Sequence, residues 1–513
     1  MIVFRKIAII ITIGLCVVLI MASWFGQYAF KSNTSVWFVL LLAVGMCLCF
    51  RYLTDFRFNL ALIMSFFVWM GLILRLAIIQ FKGNVDAFVQ FGDLTGPEYN
   101  RAALYICLAC GSSLLGIVLA GQTEREENET TPGRYSRIYF GVLLILGVAA
   151  IAQLFYLFYL TPILNMFSVY RPGDFLEKVL AYFRSEFFVL SLFAFAIWLI
   201  RPLDPQYLRR WKALPMIGRR LLLVIVIVYP LTRLLGGNRG FLFEEFLQLS
   251  FAALAVYNFG DLRLKINVAR VFLVIIAVVI SSMGWFVVEE IRKEAFSGNT
   301  LNSVNVTSII NGATENYDFS YFLAVASARV YLLDPTVLPI NDEYFTSPDA
   351  YLTIDQSLKR AVNRITPASS IKPFEVNLEE SELAYYRLYH VGTEQQRQSY
   401  TAPGLSYLTF GWWGGLAFMF GLSFVVTRIY KYFLNLKNRI HSVIACSILM
   451  YFYYEWWQTF GFDNLAYKLV WTSLTLWLIL FLVGVLVGRR NRTADTADQK
   501  KPEVRPDGLM AVS

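Results

Sequence analysis

Residues 7–29 read IAIIITIGLCVVLIMASWFGQYA, a run of 23 positions without a charged side chain. A helix rises about 1.5 Å per residue and the hydrocarbon layer is about 30 Å thick, so about 20 apolar residues are enough to cross a membrane. Arg5 and Lys6 precede this run, but no small-residue cleavage site ends it and further apolar runs follow. The stretch therefore predicts an uncleaved membrane-spanning helix rather than a signal peptide.

Eleven further apolar runs of this kind follow along the chain. Of its 513 residues, 57% are hydrophobic and only 16% are charged, whereas about a quarter of a soluble domain is charged. This pattern predicts an all-α polytopic integral membrane protein and excludes a soluble multidomain protein, a coiled coil and an outer-membrane barrel. The twelve predicted spans lie near residues 7–29, 35–50, 60–81, 102–121, 138–160, 179–200, 221–236, 240–258, 270–288, 404–427, 441–459 and 466–488.

The positive charges predict the orientation of these spans. With the N-terminus inside, 26 of the 45 lysines and arginines fall in cytoplasmic segments, as the positive-inside rule requires. We therefore expect both termini in the cytoplasm. The net charge of +9 then reflects topology, because the outer segment 289–403 carries 15 acidic and 9 basic residues. The positive net charge is therefore no evidence for a nucleic-acid partner.

The spans divide the chain into four parts. Residues 1–288 hold spans one to nine, 289–403 form one large outer loop, 404–488 hold three more spans, and 489–513 are a polar tail expected to be disordered in the cytoplasm. The loop is expected to be partly helical, near 315–333, 353–365 and 378–390. Its nine tyrosines either stack on sugar rings or anchor the loop at the membrane boundary. No internal repeat is visible, which argues against a transporter.

A glycine-rich turn, LLGGNRGF at residues 234–241, joins predicted spans seven and eight on the outer side. Gly237 lets an anion approach the backbone, and Asn238 caps the next helix, whose first N–H groups favour negative charge. Arg233 and Arg239 add forked contacts to phosphate oxygens. The turn predicts a diphosphate cradle at the depth of the outer headgroups. Arginines that bind ordinary lipid headgroups are the alternative interpretation.

Further charged residues are predicted on the outer side. Arginines there can bind an acidic ligand, and a carboxylate or histidine can act as the general base for a hydroxyl group. Solvated surface charges are the plain alternative for each of them. The candidates are Arg171, Arg292, Arg329 and Arg387 for the ligand, and Glu290, Asp318, His390 and then Glu289 for the base.

Several charged residues fall inside predicted spans, among them Arg75, Arg184, Glu186, Glu244 and Glu245. An unpaired charge is costly there, so buried ion pairs are the default interpretation, and catalysis is the alternative for Glu244 and Glu245. The sequence contains no Walker A loop, HExxH, GxSxG or clustered Cys/His set. We therefore expect neither a metal nor a cofactor.

The segment TAPGLSYLTFGWWGG at 401–415, together with the turn at 236–241, resembles the Wzy-type oligosaccharide repeat unit polymerases, which make bacterial O-antigen, enterobacterial common antigen and exopolysaccharide. That family has a Gly-Gly-x-Arg-Gly turn, a large outer loop, and a Pro-Gly segment leading into a span with Phe-Gly-x-x-Gly. The resemblance covers roughly 220–430. The chain departs from one family pattern, since no outer-loop arginine is followed by glycine eleven positions later.

The resemblance implies a GT-C-like membrane glycosyltransferase in the bacterial inner membrane. Such an enzyme transfers a growing glycan from undecaprenyl diphosphate to the non-reducing end of a new lipid-linked repeat unit. The implied partners are undecaprenyl-diphosphate-linked oligosaccharide, membrane lipids and a chain-length regulator protein. Two alternatives stay open. An O-antigen ligase shares the fold class and donor, and a flippase or other transporter would move lipid-linked sugar across the membrane.

Two details of the 401–415 segment have structural interpretations. Pro403 and Gly404 are either a hinge for the loop or ordinary punctuation at a helix start. Gly411, Gly414 and Gly415 are expected to allow close helix packing.

Overall fold

The structure is a computed structural model, and the residues it describes are 2–26, 34–53, 55–82, 96–121, 306–330, 354–365, 401–436 and 439–458. It also describes isolated positions within 250–255, 282–290, 332–340 and 373–374, and residue 470. Within these ranges every regular element is a helix, and no strand occurs. The all-α prediction is therefore confirmed for this part of the chain.

We number the α-helices of the described ranges in chain order. A π-helix, Val68–Leu74, lies between the third and fourth of them. The α-helices are α1 (Ile2–Phe25), α2 (Thr34–Tyr52), α3 (Asp55–Phe67), α4 (Arg75–Lys82), α5 (Gly96–Ala120), α6 (Val306–Glu315), α7 (Phe319–Arg329), α8 (Ile354–Ile365), α9 (Ala402–Leu434) and α10 (Arg439–Gln458).

Five helical stretches are long and apolar enough to cross a membrane: Phe4–Phe25, Ser35–Tyr52, Phe56–Phe81, Tyr99–Ala120 and Ala402–Leu434. They correspond to predicted spans one to four and ten, and they confirm the transmembrane character of the chain. Helix α10 coincides with predicted span eleven, although its tyrosines, tryptophans and Glu455 make it less apolar. The other six predicted spans lie mostly outside the described residues, so the number twelve stays a prediction.

The third span lies at the centre of the described bundle. Of its most apolar stretch 72% is buried, against 22% for the first span. It consists of α3, the π-helix and α4 in succession. A π-helical turn is wider than an α-helical turn and occurs frequently at functional sites. Five of its residues are buried, namely Val68, Trp69, Gly71, Leu72 and Ile73.

Helices α5 and α9 pack closely because small residues lie where they meet. A Cβ atom at Gly116 would stand 2.4 Å from the carbonyl oxygen of Phe420. Ser113 donates a hydrogen bond to the carbonyl of Met419, at 3.4 Å. Small residues let helix backbones approach in a membrane, where dispersion contacts and interhelical hydrogen bonds replace the hydrophobic effect as the driving force.

Helix α9 is interrupted at Gly411. At 33 residues it would be about 50 Å long if straight, more than the hydrocarbon layer requires. Gly411 has φ 72° and ψ −170°, a conformation open essentially to glycine alone. The chain folds back there, so that the carbonyl oxygen of Ser406 comes within 2.9 Å of a Cβ built on Gly415. The packing expectation is thus met by Gly415, whereas Gly411 serves to turn the chain.

The start of α9 has the features of an ordinary helix N-terminus. Thr401 is extended, with φ −85° and ψ 166°, and Pro403 stands in the first turn. Proline is favoured there because its missing N–H would be unpaired in any case. These features support helix-start punctuation over a hinge.

The helix that the sequence predicts near 315–333 is present as α7, and α6, which the sequence does not predict, precedes it. Helix α6 ends at Glu315, and α7 begins at Phe319. Asp318 separates them because its side chain caps α7: Oδ1 accepts hydrogen bonds from the backbone N–H of Ser320 at 2.8 Å and from its hydroxyl at 2.7 Å. The prediction near 353–365 is confirmed by α8, and the one near 378–390 lies outside the described residues.

Part of the loop packs into the core of the bundle. Six described residues between positions 330 and 340 are buried. Val330 is 6% exposed, and the other five are fully buried. A Cβ at Gly71 would meet Leu332 Cβ at 2.6 Å and Val330 Cγ1 at 3.0 Å, so the loop lies directly on the π-helix. We call this group the inserted segment; it consists of Val330, Leu332, Leu333, Thr336, Val337 and Ile340.

The depth of this contact follows from the position of Gly71 in its span. Gly71 is ten residues from Phe81, the end predicted to be outer, which corresponds to about 15 Å of helix. The loop therefore reaches about halfway along the span rather than lying wholly above it. Irregular backbone is tolerated at such depth when protein surrounds it, and the burial of the inserted segment meets that condition.

Candidate functional site

Most of the predicted site residues lie outside the described residues, and their roles stay predictions. Three of the candidates fall within the described ranges: Glu290, Asp318 and the backbone of Arg329. The candidates outside are Arg171, Arg233, Gly237, Asn238, Arg239, Glu244, Glu245, Glu289, Arg292, Arg387 and His390.

Glu290, the first candidate for a general base, lies against helix α6. Its Oε1 accepts a hydrogen bond from the side-chain amide of Asn316, at 3.1 Å. Its Oε2 is 3.1 Å from the Cβ position of Gly312, so a larger residue at 312 would press on the carboxylate. Glu290 is half-buried. The contacts fix the position of this carboxylate relative to the first loop helix.

Aromatic contacts hold the same region together. The ring of Phe286 meets the ring of Tyr317 edge to face at a centroid distance of 5.4 Å. The hydroxyls of Ser282 and Tyr317 are 3.0 Å apart. Because Tyr317 immediately precedes Asp318, the structure brings Glu290 and Asp318 to one short junction between α6 and α7. Asp318 is exposed and has a capping role there, while Arg329 is the last residue of α7.

A second polar region lies where the inserted segment meets α9. The hydroxyls of Thr336 and Thr401 are 3.1 Å apart, and Thr336 also donates to the carbonyl of Leu332 at 2.6 Å. Gly404 leaves room for this contact, because its Cβ position is 3.3 Å from the Thr336 hydroxyl oxygen. The loop is thus attached to the first turn of α9 as well as to the π-helix.

The same end of α9 is attached to α5. Tyr105 is fully buried, and its hydroxyl is 3.1 Å from that of Ser406. Its ring meets those of Tyr407 and Trp412 edge to face, at centroid distances of 5.2 Å and 5.1 Å. A Cβ at Gly415 would stand 2.2 Å from the Tyr105 hydroxyl oxygen. Residues 401–408, the first part of the quoted segment, are buried and connect the loop to the bundle.

Arg75 is a charged residue in the half of the third span that is predicted to be outer. It is fully buried and begins α4, directly after the π-helix. It lies one turn beyond Gly71 towards the predicted outer end, six residues or about 9 Å from Phe81. The sequence located Arg75 within a span but did not indicate its closeness to the surface on which the inserted segment packs.

Glu455 was missed by the sequence reasoning, although the stretch YFYYEWW at 451–457 contains a carboxylate inside an aromatic run. Its Oε1 accepts a hydrogen bond from the Tyr451 hydroxyl at 2.6 Å. The neighbouring Tyr454 ring packs on Phe67, at a centroid distance of 5.3 Å. This contact joins α10 to the third span at a residue that is 14 positions, or about 20 Å of helix, from Phe81.

Taken together, the described part of the site is a loop, predicted to be outer, that is fixed to the spans at two places. Its carboxylates lie at the α6–α7 junction, and the fully buried Arg75 lies one turn from Gly71, on which the loop packs. Such an arrangement can hold a glycan above the membrane while cations act on a phosphate group below it. In the described ranges no three His, Cys, Asp or Glu residues lie close enough to hold a metal ion.

Comparison with known proteins adds no relative to this description. No protein-family model, no curated protein and no solved structure matches the chain.

Proposed function

We propose that this protein polymerises undecaprenyl-diphosphate-linked oligosaccharide repeat units into a surface polysaccharide. The observation that carries the proposal is the combination of the glycine-arginine turn at 236–240 with a large outer loop that is anchored in the bundle. Outside the inner membrane there is no supply of nucleotide sugar. A glycosyltransferase acting there needs a donor whose leaving group is already in the membrane, and a lipid diphosphate meets that need.

The proposed reaction replaces a glycosyl phosphate bond with a glycosidic bond. The bond between the anomeric carbon of the growing chain and the diphosphate oxygen breaks, and the bonding electrons leave with the undecaprenyl diphosphate. A hydroxyl at the non-reducing end of the incoming unit attacks the same carbon, and its proton passes to a base. The diphosphate gains negative charge as it leaves, so groups that stabilise that charge accelerate the reaction.

The residues of the chain divide between these two tasks. Arg233, Asn238 and Arg239, with the helix start that follows them, are proposed to hold the diphosphate. Arg75 lies at a depth from which a guanidinium can support them. Glu290 is proposed as the base or as the group that orients the acceptor hydroxyl, because Asn316 and Gly312 fix its position at the loop. Neither task calls for a metal or a cofactor.

The inserted segment supports the same proposal. A loop that closes over lipid-linked sugar must keep a fixed position relative to the membrane, since a displacement of the reacting groups by about 1 Å can lower the rate by a large factor. Contacts to Gly71 in the π-helix and to Thr401 at the start of α9 fix that position at two separate elements. A transporter, in contrast, requires its path to open to both sides of the membrane.

Deletion of the gene and display of the surface glycan on a gel tests the proposal. We expect a single repeat unit on the lipid core in place of a ladder, and restoration of the ladder by the wild-type chain. A ladder that survives the deletion would refute the proposal. Polymer that accumulates on undecaprenyl diphosphate and is missing from the lipid core would indicate the ligase instead.

A substitution at Glu455 distinguishes the proposed polymerase from a proton-coupled transporter. We expect Glu455→Gln to retain the full ladder, because glutamine still accepts the hydrogen bond from Tyr451 and the proposed site does not include this residue. A transporter that uses a titratable carboxylate within the membrane would lose activity with this change. The measurement is the gel ladder in deleted cells carrying the variant, with Tyr451→Phe as the matched control for the hydrogen bond alone.

A further inference from the structure

The hydroxyl group of Tyr105 lies between the two parts of α9 that meet at its sharp turn. We call residues 402–410 the first arm and residues 412–434 the second arm. The hydroxyl oxygen is 3.1 Å from that of Ser406 in the first arm, and it occupies the space that a side chain at Gly415 in the second arm would need. Tyr105 belongs to α5 and is fully buried. One side chain of α5 thus contacts both arms of α9.

The hydrogen bond between Tyr105 and the first arm has a definite direction. The Ser406 hydroxyl donates its proton to the carbonyl of Pro403, at 2.8 Å. Because a serine hydroxyl has only one proton, Tyr105 is the donor in its bond to Ser406. Phenylalanine at position 105 would keep the ring contacts with Tyr407 and Trp412 but could not donate. The contribution of this single bond can therefore be measured separately from that of the packing.

The first arm in turn holds the inserted segment of the loop. Thr336 donates its hydroxyl proton to the carbonyl of Leu332, so Thr401 is the donor in the bond that joins the two threonine hydroxyls at 3.1 Å. The backbone N–H groups of Thr336 and Val337 both bond to the carbonyl of Leu333, at 3.0 Å and 3.1 Å. Thr336 therefore sits in a closed backbone turn, and a displacement of the first arm displaces this turn with it.

The inserted segment continues directly from the helix that follows the candidate carboxylates. Helix α7 ends at Arg329, and the N–H of Val330, the first residue of the inserted segment, bonds to the carbonyl of Ser327 at 3.3 Å. Helix α7 also packs on the π-helix and on α4. The junction with Glu290 and Asp318 lies at the other end of α7. A displacement of the inserted segment is therefore passed through α7 to the two carboxylates.

We propose that Tyr105 is a positioning residue: its hydroxyl group holds Glu290 and Asp318 in place for the reaction through the first arm, the inserted segment and α7. The inference rests on the proposed function. Apolar side chains in a membrane gain as much from lipid as from protein, so they allow an arm to slide, whereas a hydrogen bond requires one distance and one direction. A displacement of the reacting groups by about 1 Å can lower a rate about 100-fold.

A comparison of Tyr105→Phe with Tyr453→Phe tests the inference. Tyr453 of α10 is 2% exposed, and its hydroxyl is 3.1 Å from that of Ser423 in the second arm. Each substitution removes one buried hydroxyl bond of the same length to α9, but only Tyr105→Phe affects the arm that holds the loop. The full-length variants are purified and reconstituted in vesicles with undecaprenyl-diphosphate-linked repeat units from cells that lack the gene. The measurements are kcat and KM for chain extension and the unfolding temperature.

We expect similar unfolding temperatures for the two variants, but a kcat about 10–100-fold lower for Tyr105→Phe alone, with KM unchanged. Ser406→Ala removes the same bond from the other side and should lower kcat equally. Equal kcat values for the two tyrosine variants would overturn the inference, because Tyr105 would then be merely structural. A normal kcat for Ser406→Ala would also overturn it, even if Tyr105→Phe fails to fold. A wild-type protein that extends no repeat unit would instead refute the proposed function, and this inference with it.

Discussion

Valine in place of Gly71 is expected to abolish the polysaccharide ladder and to lower the unfolding temperature of the purified protein. The new Cβ would stand 2.6 Å from Leu332 Cβ and 3.5 Å from the backbone nitrogen of Leu332. Atoms directly attached to the backbone cannot swing aside as the end of a long side chain can. The inserted segment must therefore move away from the π-helix, at a cost of about 1–3 kcal/mol for overpacking.

The matched control is Gly45→Val in α2. A Cβ at Gly45 would meet nothing within 4 Å, so the same substitution in another span adds no clash. Both variants are compared by thermal unfolding in detergent and by the ladder in deleted cells. Equal unfolding temperatures and equal ladders for the two variants would show that the loop does not need its contact with the π-helix.

Alanine in place of Arg239 is expected to abolish polymerisation while the protein still accumulates in the membrane. If the guanidinium holds the leaving diphosphate, its loss removes charge stabilisation that is greatest in the transition state. Single contacts of this kind are typically worth a factor of about 100–1,000 in rate. The ladder should collapse to a single repeat unit, and the amount of protein is measured on a membrane blot.

Lysine at the same position separates charge from geometry. Arg239→Lys keeps the positive charge but loses the forked pair of donors, so most of the polymer should still be lost. Arg51→Ala is a suitable control, because Arg51 is an exposed arginine at the end of α2 on the predicted inner side. Normal chain lengths from both Arg239 variants would remove the diphosphate cradle from the proposed mechanism.

The spanning helices could be predicted because the signal for them is local. A run of apolar residues as long as the hydrocarbon layer must form a helix, since its backbone polar groups have no water to pair with. This is why α1, α2, α5 and the stretch Phe56–Phe81 appear close to their predicted places. The helix boundaries shifted by several residues where neighbouring residues could extend a turn, as at the start of α5.

The sequence predicts which kinds of residue the candidate site contains, but not how these residues are arranged. The sequence indicates Glu290 and Asp318 as outer carboxylates, but nothing in their spacing shows that Asp318 caps α7 or that Asn316 donates a hydrogen bond to Glu290. The sequence shows Glu455 as a charged residue in an aromatic run, but its depth in the membrane depends on packing between helices, such as the contact of Tyr454 with Phe67. Depth is a property of neighbouring helices and cannot be read from one segment.

The sequence by itself determined that this chain is a helical membrane protein, because hydrophobic length and loop charge act on each segment separately. Only the tertiary structure decided that the loop enters the bundle at Gly71, that α9 turns back at Gly411, and that Tyr105 lies between the two arms of α9. Each of these depends on which surfaces meet. An apolar residue gains as much from lipid as from protein, so composition alone does not distinguish the two environments.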